Sequence, residues 1–212
     1  MRLYLVRHGE SDLNKQRKYQ YPEVELSKTG LLQAKQVARR FKNIPIDVIV
    51  SSDIVRAKQT TKEIVAVTKK KVVFTPLLRE RRRPSGLHGK LLSSDEAKQA
   101  LNLIHKNRYD PKWRHSDEEN FFDAIKRVKA LISLVEKRTE ENILIVSHAA
   151  FLKYLLTHLL FEEGANPDHF EKIFYFFGLK NTGVSILEKK NDHYGSGVKW
   201  RLVTWNDHAH LG

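Results

Sequence analysis

Arg7-His8-Gly9-Glu10 near the start and Ser147-His148 much later are the residues of this chain best suited to chemistry. A neutral imidazole can act as a nucleophile, and an arginine fork matches the geometry of a phosphoryl group. Each histidine lies just past an apolar run, and such runs bounded by turn formers read as buried strands. Ligands of open α/β sheets bind outside the carboxyl ends of the strands. Two strands therefore deliver His8 and His148 to one crevice, with Arg7 beside the first, and phosphoryl chemistry is the expectation. Gly9 lets the chain turn and lets a phosphate approach the backbone closely.

Two further segments extend this set. Ser51-Ser52-Asp53 leads out of an apolar run and into a helical pattern whose first turn carries Arg56. A helix N-terminus attracts phosphate, so Arg56 offers a second guanidinium, although an exposed helical arginine explains it equally well. Leu77-Leu78-Arg79-Glu80 puts a carboxyl group at the end of another apolar run, a candidate proton donor for a departing alkoxide. Against that role, Arg79, Arg81, Arg82 and Arg83 crowd Glu80 and suggest a surface salt bridge instead. A buried structural histidine is the corresponding alternative for His148.

These groups need a scaffold to position them. Strands are expected over 2–8, 46–50, 72–74, 142–146, 183–189 and 198–204. Ser27 caps a helix carrying Leu31, Ala34, Ala38 and Phe41, and Asp53 caps the next, with Ile54, Ala57, Thr61 and Ile64 on one face. Ser116 and Glu119 form a capping-box signature for a helix running to about 139, and residues 149–160 form another helix. Residues 84–115 are irregular apart from a helix near 94–106. The pattern predicts an α/β chain, a three-layer αβα sandwich with a mostly parallel central sheet and a helical and loop lid excursion over about 81–120. Residues 1–212 read as one domain.

Composition narrows the function classes. The 212 residues contain no cysteine, which removes thiolate nucleophiles and Cys-based metal sites. No apolar run approaches the ~20 residues of a membrane span, and the start shows no signal peptide, so a cytoplasmic location without membrane attachment is expected. The net charge of +13 favours anionic partners, but no RNA-binding pattern of stacking aromatics accompanies it, so nucleic acid is disfavoured. His208-Ala209-His210 reads as a frayed terminus rather than a chelating pair.

The ordered set Arg7-His8-Gly9-Glu10 with Asn14, Leu26-Ser27-Lys28-Thr29-Gly30 through Gln33-Ala34, Ser51-Ser52 through Arg56-Ala57 and Gln59-Thr60, Glu80, Ser147-His148 and Asn181-Thr182-Gly183-Val184 resembles the histidine phosphatase superfamily, in its phosphoglycerate-mutase-like branch. The likeness spans nearly the whole chain. It implies that His8 is phosphorylated transiently, that Arg7, Arg56 and His148 hold the phosphoryl group, that Glu80 handles the proton, and that Asn14 touches phosphate or substrate. It implies no metal and no cofactor. Three positions depart from the pattern: Ala149 stands where glycine is usual, Leu13 where tryptophan is frequent, and Arg81-Arg82-Arg83-Pro84 follows the acid where mutases carry His-Tyr-Gly.

The expected activity is metal-independent hydrolysis of phosphomonoesters by a histidine acid phosphatase-like enzyme, acting on a phosphorylated small molecule, with a phosphoprotein as an open alternative. Phosphoglycerate mutase chemistry on the same residues is the runner-up, and a non-catalytic binder of phosphorylated ligands or RNA is the third reading. Arg81, Arg82, Arg83, Lys90, Lys112 and Arg114 are candidates for selecting a second anionic group on the substrate. The sequence does not specify the oligomeric state.

Overall fold

The computed structural model describes residues 1–191 and 198–212. In chain order the elements are β1 (Arg2–Arg7), α1 (Asp12–Lys15), α2 (Lys28–Arg40), β2 (Val48–Ser52), α3 (Val55–Thr68), β3 (Val72–Thr75), α4 (Asp95–Lys106), α5 (Phe121–Glu136), β4 (Asn142–Ser147), α6 (Ala149–Phe161), α7 (Pro167–Phe176), β5 (Val184–Asn191) and β6 (Val198–Asp207). The six strands form one mixed sheet in the order β3-β2-β4-β1-β5-β6. β3, β2, β4 and β1 run parallel, and β5 and β6 close the far edge antiparallel.

Strand periodicity sorts the core into two layers. Leu3, Leu5, Ile143 and Ile145 face one way and pack with Val128 and Leu131 of α5 and Phe151 and Leu155 of α6. Tyr4, Val6, Leu144 and Val146 face the other way, against Val37 and Ala38 of α2 and Ala57 and Ile64 of α3. Burying such side chains contributes about 1.5–3 kcal/mol each, so β1 and β4, apolar on both faces, are held at the centre of the sheet. No helix among the described residues is long and apolar enough to cross a membrane.

Two expectations about helix starts are corrected, and one helix is added. Asp53 does not cap α3: both its carboxylate oxygens are taken by Arg79, at 2.6 and 2.5 Å, and Ile54 is the N-cap without a side-chain bond. The capping box at the head of α5 is Asn120 with Asp123, not Ser116 with Glu119. Glu119 is instead gripped by Arg127 at 2.9 and 2.8 Å, and Ser116 bonds Glu118. Helix α7 was not anticipated, although Asn166 as N-cap and Pro167 at the first helical position are an ordinary start signal.

Residues 81–120 leave the sheet between β3 and α5 and carry α4. Their first part is fastened to the loop after α1: Tyr19 N donates to Lys90 O and Gly89 N to Tyr19 O, both at 2.9 Å. The C-terminus is not frayed. A 3-10 turn over Ala209–Leu211 leaves His210 Nε2 3.1 Å from Thr182 Oγ1.

Gly9 and Gly30 meet face to face where the loop after β1 crosses the first turn of α2. A Cβ on Gly9 would lie 2.5 Å from Gly30 O, and one on Gly30 would lie 1.9 Å from Glu10 O. Neither has a positive φ, so close packing of backbone, rather than turn geometry, demands these glycines. Ala is the better helix former by about 1 kcal/mol, yet Gly30→Ala is expected to destabilise by about 1–3 kcal/mol through overpacking. Denaturant titration of the two proteins checks the sign.

Candidate active site

Pairing of β1 with β4 sets Arg7 opposite Ser147, and the His8 amide donates to Ser147 O at 3.0 Å. The next residues, His8 and His148, therefore leave adjacent strands side by side, with ring centroids 4.9 Å apart. Both are buried.

Hydrogen bonding assigns the protons. His8 Nδ1 lies 2.6 Å from Gly9 O, an acceptor, so Nδ1 carries the hydrogen. His8 Nε2 accepts from Arg56 Nε at 3.3 Å, leaving its lone pair directed away from the backbone. Burial, then the charges of Arg56 and Arg7, hold the His8 pKa well below its ordinary value. The ring is neutral, the form a nucleophile requires.

His148 is oriented by a residue whose role the sequence did not reveal. Ser52 Oγ accepts from Ile54 N at 3.3 Å and sits 2.9 Å from His148 Nε2. Besides accepting from Ile54, the serine hydroxyl holds the His148 ring through Nε2, an atom pair in which either member can donate. His148 Nδ1 is buried and has no hydrogen-bond partner. Burial, then Arg56 and His8, keep His148 neutral by lowering its pKa well below the usual value.

Two guanidinium groups flank the imidazoles. Arg56, in the first turn of α3, is buried, and its Nη1 donates to Tyr21 O at 3.1 Å. Desolvation brings its pKa down to about 10, still cationic at neutral pH. Arg7 Nη1 donates to Leu179 O at 2.5 Å, while its buried Nε has no partner. Arg7 Nε and His148 Nδ1 are thus two buried polar atoms without partners. Buried polar groups are rarely left so, and such groups mark a ligand site or strain.

Glu80 is not paired with the arginines next to it in sequence. Arg79 is occupied by Asp53. The Glu80 carboxyl accepts from Arg81 N at 2.9 Å and from Phe151 N and Ala150 N at 3.1 and 3.2 Å, at the head of α6. Its charge acts favourably on Arg7 and Arg56. Arg127 holds the approach to Glu80 rigid: it spans Leu77 O at 3.0 Å and the Glu119 carboxylate, and lies over the Phe151 ring at 4.5 Å.

Asn14 stands one shell further out. Its Oδ1 is 3.4 Å from Asn181 Nδ2, which also donates to His8 O at 3.0 Å. Gly9 N donates to Thr60 Oγ1 at 3.1 Å, so its amide is committed to α3. Gln33, Gln59 and Ser27 serve the same loop, accepting from Glu10 N, accepting from Leu26 N and donating to Glu10 Oε1 respectively. Ser52, Thr60 and Asn181 lie inside segments the sequence singled out, but their partners are 96, 51 and 173 residues away, and no local pattern encodes them. Thr182 at φ 56° donates its amide to Arg7 O at 3.0 Å. Among the described residues, no group of three or more His, Asp and Glu side chains is arranged to hold a metal ion.

The arginines after Glu80 separate into two kinds. Arg82 is bound to the Asp117 carbonyl and, through its amide, to Glu119. Arg114 pairs with Asp123 at 2.6 Å and Lys90 with Glu96 at 3.3 Å, while Lys112 is exposed. Arg81 and Arg83 instead line a cavity of about 770 Å³ between α4, the 107–121 loop, α6 and α7.

Known proteins resemble this chain over its full length. A probable phosphatase of Schizosaccharomyces pombe is 28% identical over 217 residues, covering all of this chain and 95% of the relative. A probable phosphoglycerate mutase of Yersinia pestis is 30% identical over 220 residues, with the same coverage. The crystal structure of a phosphoserine phosphatase mutant from Entamoeba histolytica, in complex with phosphoserine, superimposes with a TM-score of 0.76 at 26% identity, covering 100% of this chain and 99% of that one. The sequence model of the histidine phosphatase superfamily (branch 1) matches residues 3–208. This chain belongs to that superfamily.

Proposed function

We propose that the protein hydrolyses phosphomonoesters through a phosphohistidine formed on Nε2 of His8. The observation that carries this reading is the His8 geometry: a buried neutral imidazole with Nδ1–H bound to Gly9 O and its Nε2 lone pair beside Arg56. Nε2 attacks phosphorus and the P–O bond to the leaving group breaks. Glu80, entering the cycle protonated, supplies the proton that the leaving oxygen takes and is left as the carboxylate that faces Arg7 and Arg56. In the second half, Glu80 accepts a proton from water, the water oxygen attacks phosphorus, and the P–N bond breaks to restore His8 and release phosphate. Arg7 and Arg56 neutralise the equatorial oxygens, the positioning and electrostatic work that dominates phosphoryl transfer. His148 donates from Nδ1, and Asn14 steadies the rim of the site through Asn181.

We further take residues 1–212 as a single functional unit in which 81–120 covers the leaving-group side. The substrate is a phosphorylated small molecule. A relative named as a phosphoserine phosphatase supports that class, and the Arg81-Arg82-Arg83-Pro84 run disfavours the mutase reading. The relatives named as probable phosphoglycerate mutases favour the second reading, in which the phosphoryl group passes from His8 back to product rather than to water. Conversion of 3- to 2-phosphoglycerate, dependent on a bisphosphoglycerate primer, would replace hydrolysis as the conclusion.

Incubation with generic phosphomonoesters in the presence of EDTA tests hydrolysis. Turnover is expected from the wild-type protein, with an acid-labile phosphoprotein trapped on rapid quenching. His8→Ala should lose at least about a thousandfold in kcat and show no trapped phosphate. Full activity in that variant ends the reading.

The protonation states make a second prediction. Folded His8 and His148 stay neutral well below their ordinary pKa of 6.5, whereas the unfolded chain protonates there. The unfolded state binds more protons under that pH, so stability falls on acidification, by up to about 1.4 kcal/mol per pH unit for each histidine. Urea unfolding from pH 7 to 5.5 should show this loss, with a shallower slope in His8→Asn. An unchanged slope would contradict a neutral buried His8.

A further inference from the structure

Arg83 is a cation without an ion pair of its own, its favourable carboxylate neighbour being Glu80 at longer range. Among the described residues its guanidinium has neither a hydrogen bond nor an ion pair, and its strongest charged neighbour is another arginine, Arg81. Burial and that repulsion both push its pKa down. Arg81 itself spends Nε on the Glu119 carbonyl and has no carboxylate partner. The other charged groups in the same cavity are satisfied. Arg108 pairs with Asp168 at 3.0 Å, Lys98 with Asp95 at 3.2 Å, and His105 faces Glu171 at 3.8 Å. Glu118 turns its carboxylate back to the amides of His115 and Ser116, at 2.7 and 2.8 Å. Two neighbouring guanidinium groups are therefore left to the cavity.

The cavity wall approaches the site of chemistry, although Arg7, His8, Arg56, Glu80 and His148 are not among its lining residues: Arg83 and Tyr154 in the wall both feel the charge of Glu80. Tyr154, in its wall, lies one turn of α6 beyond Phe151, whose amide holds the Glu80 carboxyl, and one turn is about 5.4 Å. The same wall is apolar and aromatic further in. Tyr154 stacks on Phe170 with centroids 3.7 Å apart and planes at 7°, and Leu101, Ile104 and Trp113 continue the lining. A volume of about 770 Å³ suits a ligand of drug-like size and far exceeds a three-carbon phosphate ester.

We propose that Arg83, with Arg81 beside it, binds a second anionic group on the leaving portion of the substrate, and that the rest of the cavity takes an apolar, ring-containing body. The substrate is then a phosphomonoester that also carries a carboxylate or phosphate on a sizeable apolar framework. This rests on the phosphatase reading for the position of the ester, and it makes Arg83 the residue that determines specificity. An arginine kept without a partner in a cavity wall costs stability, the pattern expected where a site is held ready for a charged ligand.

Stable phosphonates separate binding from catalysis. Calorimetry of the intact protein with phenylphosphonate and with its 2-, 3- and 4-carboxy derivatives measures the contribution of a second anion at three distances. At least one carboxy isomer should bind about tenfold more tightly than the parent, as charge-assisted pairing allows. Arg83→Gln should remove that advantage, and Arg83→Lys should restore part of it. Arg83→Gln should also melt no lower than wild type, because it discards an unpaired charge. The proposal is overturned if no isomer exceeds the parent, if neither compound binds, or if Arg83→Gln keeps the preference. The corresponding aryl phosphates report separately on hydrolysis. An Arg83-dependent preference among phosphonates with no turnover of any phosphate would keep the anion subsite and discard the phosphatase reading.

Discussion

Parallel pairing of β1 with β4 is the constraint from which the site follows. Arg7 and Ser147 are the last matched residues, and both chains turn off the sheet at the next position. The two imidazoles then have no choice but to adjoin. What prevents the turn after β1 from relaxing is the backbone contact of Gly9 with Gly30, together with the Thr60 hydroxyl on the Gly9 amide. Interiors packed at crystal-like density transmit such contacts without slack, so α2 and α3 fix the direction of the His8 ring though neither carries the nucleophile.

Charge in the protein is spent unevenly. Three arginines around the site are neutralised in place, Arg79 by Asp53, Arg127 by Glu119 and Arg114 by Asp123. Arg7 and Arg56 share Glu80 at a distance but have no ion pair of their own, and burial lowers the pKa of each. Preorganised charge of this kind needs no rearrangement when an anion arrives. It also adds to the effect of burial in keeping the histidines neutral: in a desolvated site with cations on both sides, a third positive charge is unfavourable. The nucleophile and the anion clamp are thus consequences of one electrostatic arrangement.

Much of this was legible in the chain. Apolar runs located the central strands and helical spacing the helices that cover them, and the site residues were visible as polar groups at the ends of those runs. Where reading failed, competition between partners was the cause. Asp53 has the form of a helix cap, but a bidentate arginine outbids a single amide. Ser116 and Glu119 match a capping box, but Arg127 claims Glu119 from eight residues downstream. Glu80 looked like a member of a surface arginine cluster, and its true partners are amides of α6, seventy residues away. The role of Ser52 depends on His148, which no spacing rule connects to it. Local signals state what a side chain can do, and tertiary structure decides which offer is accepted.

The same sheet order has a consequence for how the molecule is made. Leu5 pairs with Ile145 on one side and Ser185 on the other, and synthesis delivers β1 ahead of both, by 140 and 180 residues. Until then a central strand, apolar on both faces, has no edge to join, and contacts so distant in sequence form slowly. The ribosome-bound chain must carry that strand unsatisfied until β4 and β5 emerge, which makes β1 the segment with most to gain from a chaperone.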